Sequence, residues 1–305
     1  MDTLYAMKVF VRIVEAGSFT KAADSVGLTA PKVSKLLQAL EHRLGCRLLQ
    51  RTTRKVSLTE DGRLYFERCI NVLNEIDEME ADLLNAKSSP KGRLKVNLPT
   101  AMAKHIVIPA LPEFVAQYPD IDLELGLTDR HVDVVGEGVD CVVRVGTLDD
   151  SGLVARRIGM MQTCTCASPG YLALHGTPTS IGELDQQFGV NYVSADTGRP
   201  RHWDFLVDGK AETVQMRGAV AVNDADAYVA CALAGLGLAK TAMYLVEPHL
   251  RSGALIQILR SFNTAPRPVS VLYVPNRHLP AKLKVFIEFI STVYAANPVL
   301  QGKGL

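Results

Sequence analysis

Residues 18–59 read SFTKAADSVGLTAPKVSKLLQALEHRLGCRLLQRTTRKVSLT, and their spacing predicts two short helices joined by a tight turn, then a basic hairpin. Ser18 is placed to cap the first helix, whose apolar side is Ala22, Ala23 and Val26. Gly27 suits the positive φ that a tight turn needs, and Leu28 returns to the core. Thr29 is a good N-cap for the second helix, and Pro31 falls in its first turn, where a missing N–H costs nothing. Val33, Leu36, Leu37, Leu40 and Leu44 share one face at helical spacing, and Gly45 is placed to end the helix. The other face carries Lys32, Ser34, Lys35 and Gln38 near its N-terminal end. Short polar and basic side chains there suit contact with phosphates and base edges.

An ordinary amphipathic helix hairpin with a solvated basic face shares that pattern. The next segment separates the two. Leu48-Leu49, then Gln50 to Lys55, then Val56-Ser57-Leu58 predict two short strands flanking a basic tip, a wing able to lie along a sugar-phosphate backbone. Between residues 20 and 60 eight Lys/Arg stand against three acidic residues, a local charge of +5 on a chain of net charge +1. A basic patch concentrated on a near-neutral protein is a footprint for phosphates. Together these features outline a winged helix-turn-helix, a device for reading the major groove of duplex DNA. Leu4, Met7, Phe10, Val11 and Val14 supply a scaffold helix in front of it.

Downstream, Thr59-Glu60-Asp61 gives a capped, acidic start to a helix predicted to run to about Lys87. Tyr65, Cys69, Val72, Ile76, Met79 and Leu83 follow the spacing of a coiled-coil seam, which favours dimerisation. The alternative is a helix packed on its own domain. Ser88 to Gly92 is a linker by composition. Beyond it the pattern alternates: strands at 93–98, 121–127 and 141–145, a helix from Ala101 to Gln117 and a short helix from His131 to Gly136. That alternation implies an α/β layer with a mainly parallel sheet. A second unit follows from about 165, with helices near 169–175 and 225–234 and strands near 190–194, 204–208, 212–217 and 219–222, and a strand at 269–274 and a helix at 282–295 close the chain.

The 305 residues, 48% hydrophobic and 21% charged, are enough for two or three globular domains. No run of eighteen apolar residues suggests a membrane span, and the charged N-terminus is no secretory signal, so a cytoplasmic location is expected. The six cysteines are scattered, and Cys164-Thr165-Cys166 has no histidine at metal-ligand spacing. Buried thiols in a reducing compartment are expected, with a redox-sensing pair as the alternative. Neither a metal site nor a cofactor is expected. The chain lacks the G-x-S-x-G, H-E-x-x-H and P-loop patterns, which speaks against an enzyme. A purely architectural DNA binder would not need some 210 residues after the head.

These residues resemble the LysR-type transcriptional regulators. The resemblance rests on Ala16-Gly17-Ser18-Phe19, Ala22-Ala23, Leu28-Thr29, Val33-Ser34, Leu44-Gly45, Arg51-Thr52-Thr53-Arg54 and Leu58 to Gly62 in the head. Later it rests on Leu111-Pro112-Glu113-Phe114, Tyr118-Pro119, Gly138-Val139-Asp140, Arg144-Val145-Gly146, Ala167-Ser168-Pro169 and Gly235-Leu236-Gly237. The resemblance implies a winged helix-turn-helix over residues 1–59, a dimerising linker helix and hinge over 60–92, and an α/β effector-binding domain over 93–305. The last is two-lobed, like periplasmic binding proteins, with lobe I at 93–164 and 269–296 and lobe II at 165–268. It further implies double-stranded DNA and a small-molecule effector as partners and a homo-oligomer, commonly a dimer of dimers and thus a homotetramer. RNA polymerase is a candidate partner.

For DNA, the candidates are Ser18, Thr20 and Thr29, then Pro31, Lys32, Ser34, Lys35 and Gln38 facing the groove, with Arg51, Thr53 and Arg54 on the wing. Glu41 and Arg43 read as structural or peripheral. For the effector, the candidates are helix N-termini and strand ends facing the cleft: Pro99, Thr100, Ala101 and Met102; Thr128; Arg144 and Gly146; Ser168; His202; Asn223 and Asp224. Backbone N–H groups and Arg144 would suit a small organic anion, while Asp129 and Asp224 argue against a strongly basic pocket.

Overall fold

The structure, a computed structural model, describes residues 2–51, 56–83, 90–146, 152–276 and 279–301. The chain divides into two compact units, Met1–Ser89 and Pro90–Leu305.

The first unit is the winged helix-turn-helix. Helix α1 (Thr3–Ala16) starts at Asp2, whose carboxylate accepts from the Tyr5 N–H at 3.1 Å. Helix α2 (Phe19–Ser25) starts at Ser18, which accepts from the Lys21 N–H at 3.5 Å. The turn passes through Gly27 at φ 65°, and α3 (Ala30–Leu44) ends on Gly45 at φ 71°. Both glycines adopt left-handed backbone that a Cβ would penalise. Strands β1 (Leu49–Arg51) and β2 (Val56–Leu58) pair antiparallel as the wing's base. Residues 52–55, which include Thr53 and Arg54 of the expected basic tip, lie outside the described residues. Phe10, Ile13, Ala22, Val33, Leu40 and Leu48 form a sealed core.

Helix α4 (Glu60–Leu83) departs from the coiled-coil expectation in its first half. Cys69 and Leu73 are buried in the head's core, with Tyr65, Phe66 and Ile70 packed against it. The Phe10 ring centroid lies 5.9 Å from that of Tyr65 and 6.2 Å from that of Phe66. A three-helix head this small needs the extra apolar stripe to close its core, so α1 claims residues expected to face a partner. Val72 stays exposed and Ile76 half-buried, while the side chains of Met79 and Leu83 lie outside the described residues.

The second unit has two lobes. Strands β3 (Gly92–Leu98), β4 (Ile121–Leu127), β5 (Cys141–Val145) and β6 (Val154–Met161) point one way in the first. Its sheet order is β4-β3-β5-β14-β6, with β14 (Arg267–Tyr273) alone reversed between β5 and β6. Between β3 and β4 the expected helix exists, but in pieces: α5 (Thr100–Met102), a π-turn (Ala103–Val107), a 3-10 turn (Ile108–Ala110) and α6 (Leu111–Gln117). The helix expected at 131–136 is absent. The Asp133 carboxylate accepts from the N–H groups of Val135 and Gly136, so side-chain bonding replaces a helical ladder.

The chain enters the second lobe through Gln162, which alone separates β6 from β7 (Thr163–Ala167). Helix α7 (Pro169–His175) follows, then β8 (Asn191–Tyr192), the hairpin β9 (Trp203–Val207) and β10 (Lys210–Val214), and β11 (Ala221–Val222). After them come α8 (Ala225–Leu233), β12 (Ala239–Ala242), α9 (Met243–Arg251) and β13 (Ile256–Ile258). Of these, β12, α9 and β13 were not anticipated. Strand β7 is flanked antiparallel by β12 and β13. The lobe boundaries expected after residues 164 and 268 therefore shift, because Thr163 and Cys164 already pair in lobe II and Arg267 and Pro268 in lobe I. Helix α10 (Ala281–Ala296) returns Phe286, Ile287 and Ile290 to the first lobe's core, beside Val143 and Val271.

Close packing at the base of the wing is testable. Gly62 is buried at the start of α4, and a Cβ there would overlap the carbonyl oxygen of Leu48. Gly62→Ala is expected to cost about 1–3 kcal/mol, typical of overpacking, read as a lower urea midpoint for the head. A midpoint unchanged from wild type would contradict it.

Candidate DNA-reading surface and effector cleft

On the head, α3 sorts its residues as the reading of a groove requires. Pro31, Lys32, Lys35 and Gln38 are exposed and Ser34 is half-buried, while Val33, Leu37 and Leu40 are sealed beneath them. Thr20 and Thr29 are exposed. Thr29 occupies the N-cap position, yet its hydroxyl makes no capping bond. Ser18 spends its hydroxyl on the α2 cap. Glu41 is structural, accepting from the Leu48 and Leu49 N–H groups at 2.8 and 3.2 Å and so fixing the wing to α3. Arg43 donates to Thr3 at the far end of the helix. Arg51 ends β1 at the wing's edge.

In the second unit a cavity of about 880 Å³ lies between the lobes. Of the expected effector residues, Pro99, Ala101, Met102, Arg144 and His202 line it. Thr128, Gly146, Ser168, Asn223 and Asp224 do not, for reasons visible locally. Ser168 caps α7, accepting from the Tyr171 N–H at 3.3 Å, and Asp224 caps α8, accepting from the Ala227 N–H at 2.8 Å. The Thr128 hydroxyl accepts from the Arg130 N–H at 3.2 Å, and Asn223 is exposed just before α8. Gly146, at φ 105°, leaves room for the Arg267 guanidinium, which a Cβ there would displace.

Thr100 itself is not at the cavity wall, and its N–H faces the carboxylate of Asp129. The helix N-terminus expected to take a ligand anion is thus approached by the protein's own. Burial raises the Asp129 pKa, against the pull of Arg201, the Thr100 N–H and Arg144. Burial also lowers the Arg144 pKa, and Arg144 donates to the Arg130 carbonyl at 2.8 Å. Arg201 stacks over Tyr192, its guanidinium carbon 5.1 Å from the ring centroid.

Sequence reasoning missed most of the second lobe's wall: Tyr192, Arg201, Thr213, Tyr228, Lys240 and Tyr244. The wall is scattered over five elements and the loop before β9, so no local motif announces it. The lobes are also pinned to each other by ion pairs and hydrogen bonds. Lys104 and His105 of the π-turn meet Asp226 of α8 at 2.8 and 2.6 Å. The hydrogen bond from Lys104 and the neighbouring His105 lower the Asp226 pKa. Asp196 accepts from the His131 N–H at 2.5 Å.

Among the described residues, no cluster of His, Cys, Asp and Glu could hold a metal ion, and no helix is long and apolar enough to cross a membrane. Cys164 and Cys166 are fully buried, and their mutual hydrogen bond and burial push the Cys166 thiol up. A thiol held protonated is a poor nucleophile, which supports the structural reading of that pair.

The exposed basic helix, its wing and the two-lobed cavity domain define a DNA-binding regulator with a ligand-sensing unit. Two family models match: "Bacterial regulatory helix-turn-helix protein, lysR family" over residues 4–63, and "LysR substrate binding domain" over residues 87–295. The chain belongs to the LysR family of transcriptional regulators. It is 37% identical over 301 residues to an HTH-type transcriptional repressor of Pseudomonas aeruginosa (strain UCBPP-PA14), covering 99% of this chain and 95% of that one. It is 35% identical over 293 residues to the uncharacterized HTH-type transcriptional regulator YhjC of Escherichia coli (strain K12), covering 96% and 98%. Among solved structures, CrgA, a LysR-type transcriptional regulator from Neisseria meningitidis, superposes with a TM-score of 0.61 at 31% identity, covering 94% of this chain and 97% of that one. The full-length Vibrio cholerae virulence activator AphB gives 0.59 at 28%, covering 94% and 98%.

Asp129 offers a test of the cleft's electrostatics. Its raised pKa means that the fold disfavours the ionised carboxylate. The resulting penalty is full above the folded pKa and vanishes as pH falls below the unfolded value. Asp129→Asn is therefore expected to raise Tm at pH 7, with the gain shrinking as pH approaches 4. A variant that melts lower at pH 7 would show that Asp129 is a net stabilising counter-ion.

Proposed function

We propose that this regulator binds a two-fold-related operator through α3 and the wing, and that a small organic anion in the interlobe cleft alters how its heads sit on DNA. Exposure of Lys32, Lys35 and Gln38 on a helix whose other face is sealed supports the first part, since those residues are free to enter a groove. With them we assign Thr20, Thr29, Pro31 and Ser34 to the reading edge and Arg51, Thr53 and Arg54 to the backbone; Ser18 acts through the α2 cap. The surplus of basic over acidic side chains in the cleft wall carries the second part: Arg130, Arg144, Arg201, Arg267 and Lys240 against Asp129, Asp196 and Asp204.

Two heads at fixed separation match a two-fold site. We assign dimerisation to the distal half of α4, beyond the residues its own head buries, and a dimer of dimers as the working assembly. The protein acts in the cytoplasm, without catalysis or cofactor, and its signal is read out by transcription.

Replacing Arg51 by Ala is expected to weaken binding to many DNA sequences alike and to flatten the dependence of log K on log salt by about one per site. Gln38→Ala should instead redistribute preference among operator variants, each base position being worth about 1–3 kcal/mol. Unchanged affinity and slope for Arg51→Ala would remove the wing from the interface. For the cleft, footprints on the protein's own upstream region, with and without a panel of organic acids, should change in extent. A footprint indifferent to all of them would sink the organic-anion part.

A further inference from the structure

Three polar atoms are buried on one face of the second lobe's three-stranded sheet with no hydrogen-bond partner among the described residues: Thr163 Oγ1, Thr165 Oγ1 and Lys240 Nζ. Strand register makes them neighbours. Lys240 pairs directly with Thr165, and Thr163 lies two residues earlier on the same strand, opposite Ala242. Residues two apart on a strand share a face, and directly paired ones place their Cβ atoms about 4.5–5.5 Å apart. Lys240 and Thr163 both line the interlobe cavity.

The ammonium group is held in an unusual place. Lys240 Nζ lies 4.2 Å from the ring centroid of Phe205, which is fully buried. Burial lowers Lys240 to about 8, against the attraction of Cys164 on β7 and Asp204 on β9. Asp204 does not pair with it, and its carboxylate accepts instead from the Thr213 hydroxyl at 3.1 Å. The Tyr228 hydroxyl, from α8, accepts from the Lys240 backbone N–H, at 3.1 Å, and not from its ammonium. Each unmatched buried donor costs stability, and a charged one costs most. A fold optimised for stability alone would place apolar side chains here. What the three groups share is donor capacity: an ammonium and two hydroxyls, suited to the two oxygens of one carboxylate.

We propose that Lys240, Thr163 and Thr165 form the charge-reading end of the cleft and hold the carboxylate of a small organic acid, whose apolar body lies against the aromatic wall of Trp203, Tyr192 and Tyr244. This rests on the cleft being the effector site. It relocates the anion from the N-terminus of α5, where Asp129 already stands, to the second lobe's sheet. It also gives the ligand a reason to matter, since the acid supplies the hydrogen-bond partner that the ammonium lacks among the described residues.

Thermal shift and calorimetry on the full-length protein test it, with benzoate, cinnamate and hexanoate each set against its uncharged amide. At least one acid should stabilise the wild type where its amide does not. Lys240→Met should lose that response and bind the acid at least about tenfold more weakly, the least expected for a hydrogen bond to a charged group. Without ligand, K240M should melt higher than wild type, an outcome that a merely structural lysine over Phe205 would reverse. Wild-type affinity should fall between pH 7 and 9 as Lys240 loses its proton, and that of K240M should not. If K240M fails to fold, Thr163→Val, which removes one hydroxyl and keeps the shape, should still weaken the acid selectively. Acids binding K240M as tightly as wild type would overturn the role of Lys240 and leave the organic-acid reading standing. Acids and amides binding alike would reduce the three groups to a hydration site. No acid binding the wild type would overturn both.

Discussion

A single residue, Gln162, stands between the edge strand β6 of one sheet and the first strand of the other, and the architecture of the sensing unit depends on that short passage. Strand β6, at the edge of its sheet, ends at Met161, and β7, at the centre of the other, begins at Thr163, so the two sheets are joined with almost no slack. The return is equally constrained. Strand β14 re-enters the first lobe between β5 and β6, against the direction of its neighbours. The first lobe's core therefore needs Val269, Val271, Phe286 and Ile290, all reached after the second lobe has been traversed. Neither lobe is an independent stretch of chain, and the cavity between them follows from this interleaving.

That geometry explains why the cleft is electrically crowded. Strand ends and helix starts from both lobes converge there, and each brings side chains that cannot all be paired. Asp129 stands against the N-terminus of α5 and is opposed by Arg201 and Arg144, while Asp226 is shared by Lys104 and His105 between the lobes. Lys240 and its two threonine neighbours are left over. Charges of this kind lower the stability of the empty protein and are where a ligand can add most. A sensor gains by keeping its binding energy unspent until the signal arrives.

The head follows a different economy. Its residues are divided cleanly between a sealed face and an exposed one, and its turns rest on glycines at positive φ. Those choices are local, so the helix-turn-helix, the scaffold helix and the wing's base could be read from spacing alone. The long helix could not be read fully. The stripe from Tyr65 to Leu83 is one pattern in sequence, yet its first part lines the head's core because Phe10 of α1 lies opposite it. An apolar stripe announces that it will be buried and is silent about by what.

The same division runs through the cleft. Pro99, Ala101, Met102, Arg144 and His202 were legible because strand ends and helix starts carry recognisable residues. Ser168 and Asp224 carried the same signal and proved to be caps, since a capping residue and a ligand-binding one share their chemistry. Asp133 turned an expected helix into a bonded turn by the same local competition. Sequence alone determined the elements of the head, the strands β3, β4 and β5 and the basic face of α3, because these rest on periodicity, caps and net charge within short windows, while the two-lobed plan came from the family resemblance. Only the tertiary structure decided that Lys240 faces Thr165 with no hydrogen-bond partner for its ammonium among the described residues, because that contact depends on strands more than seventy residues apart in the chain, whose register no local pattern encodes.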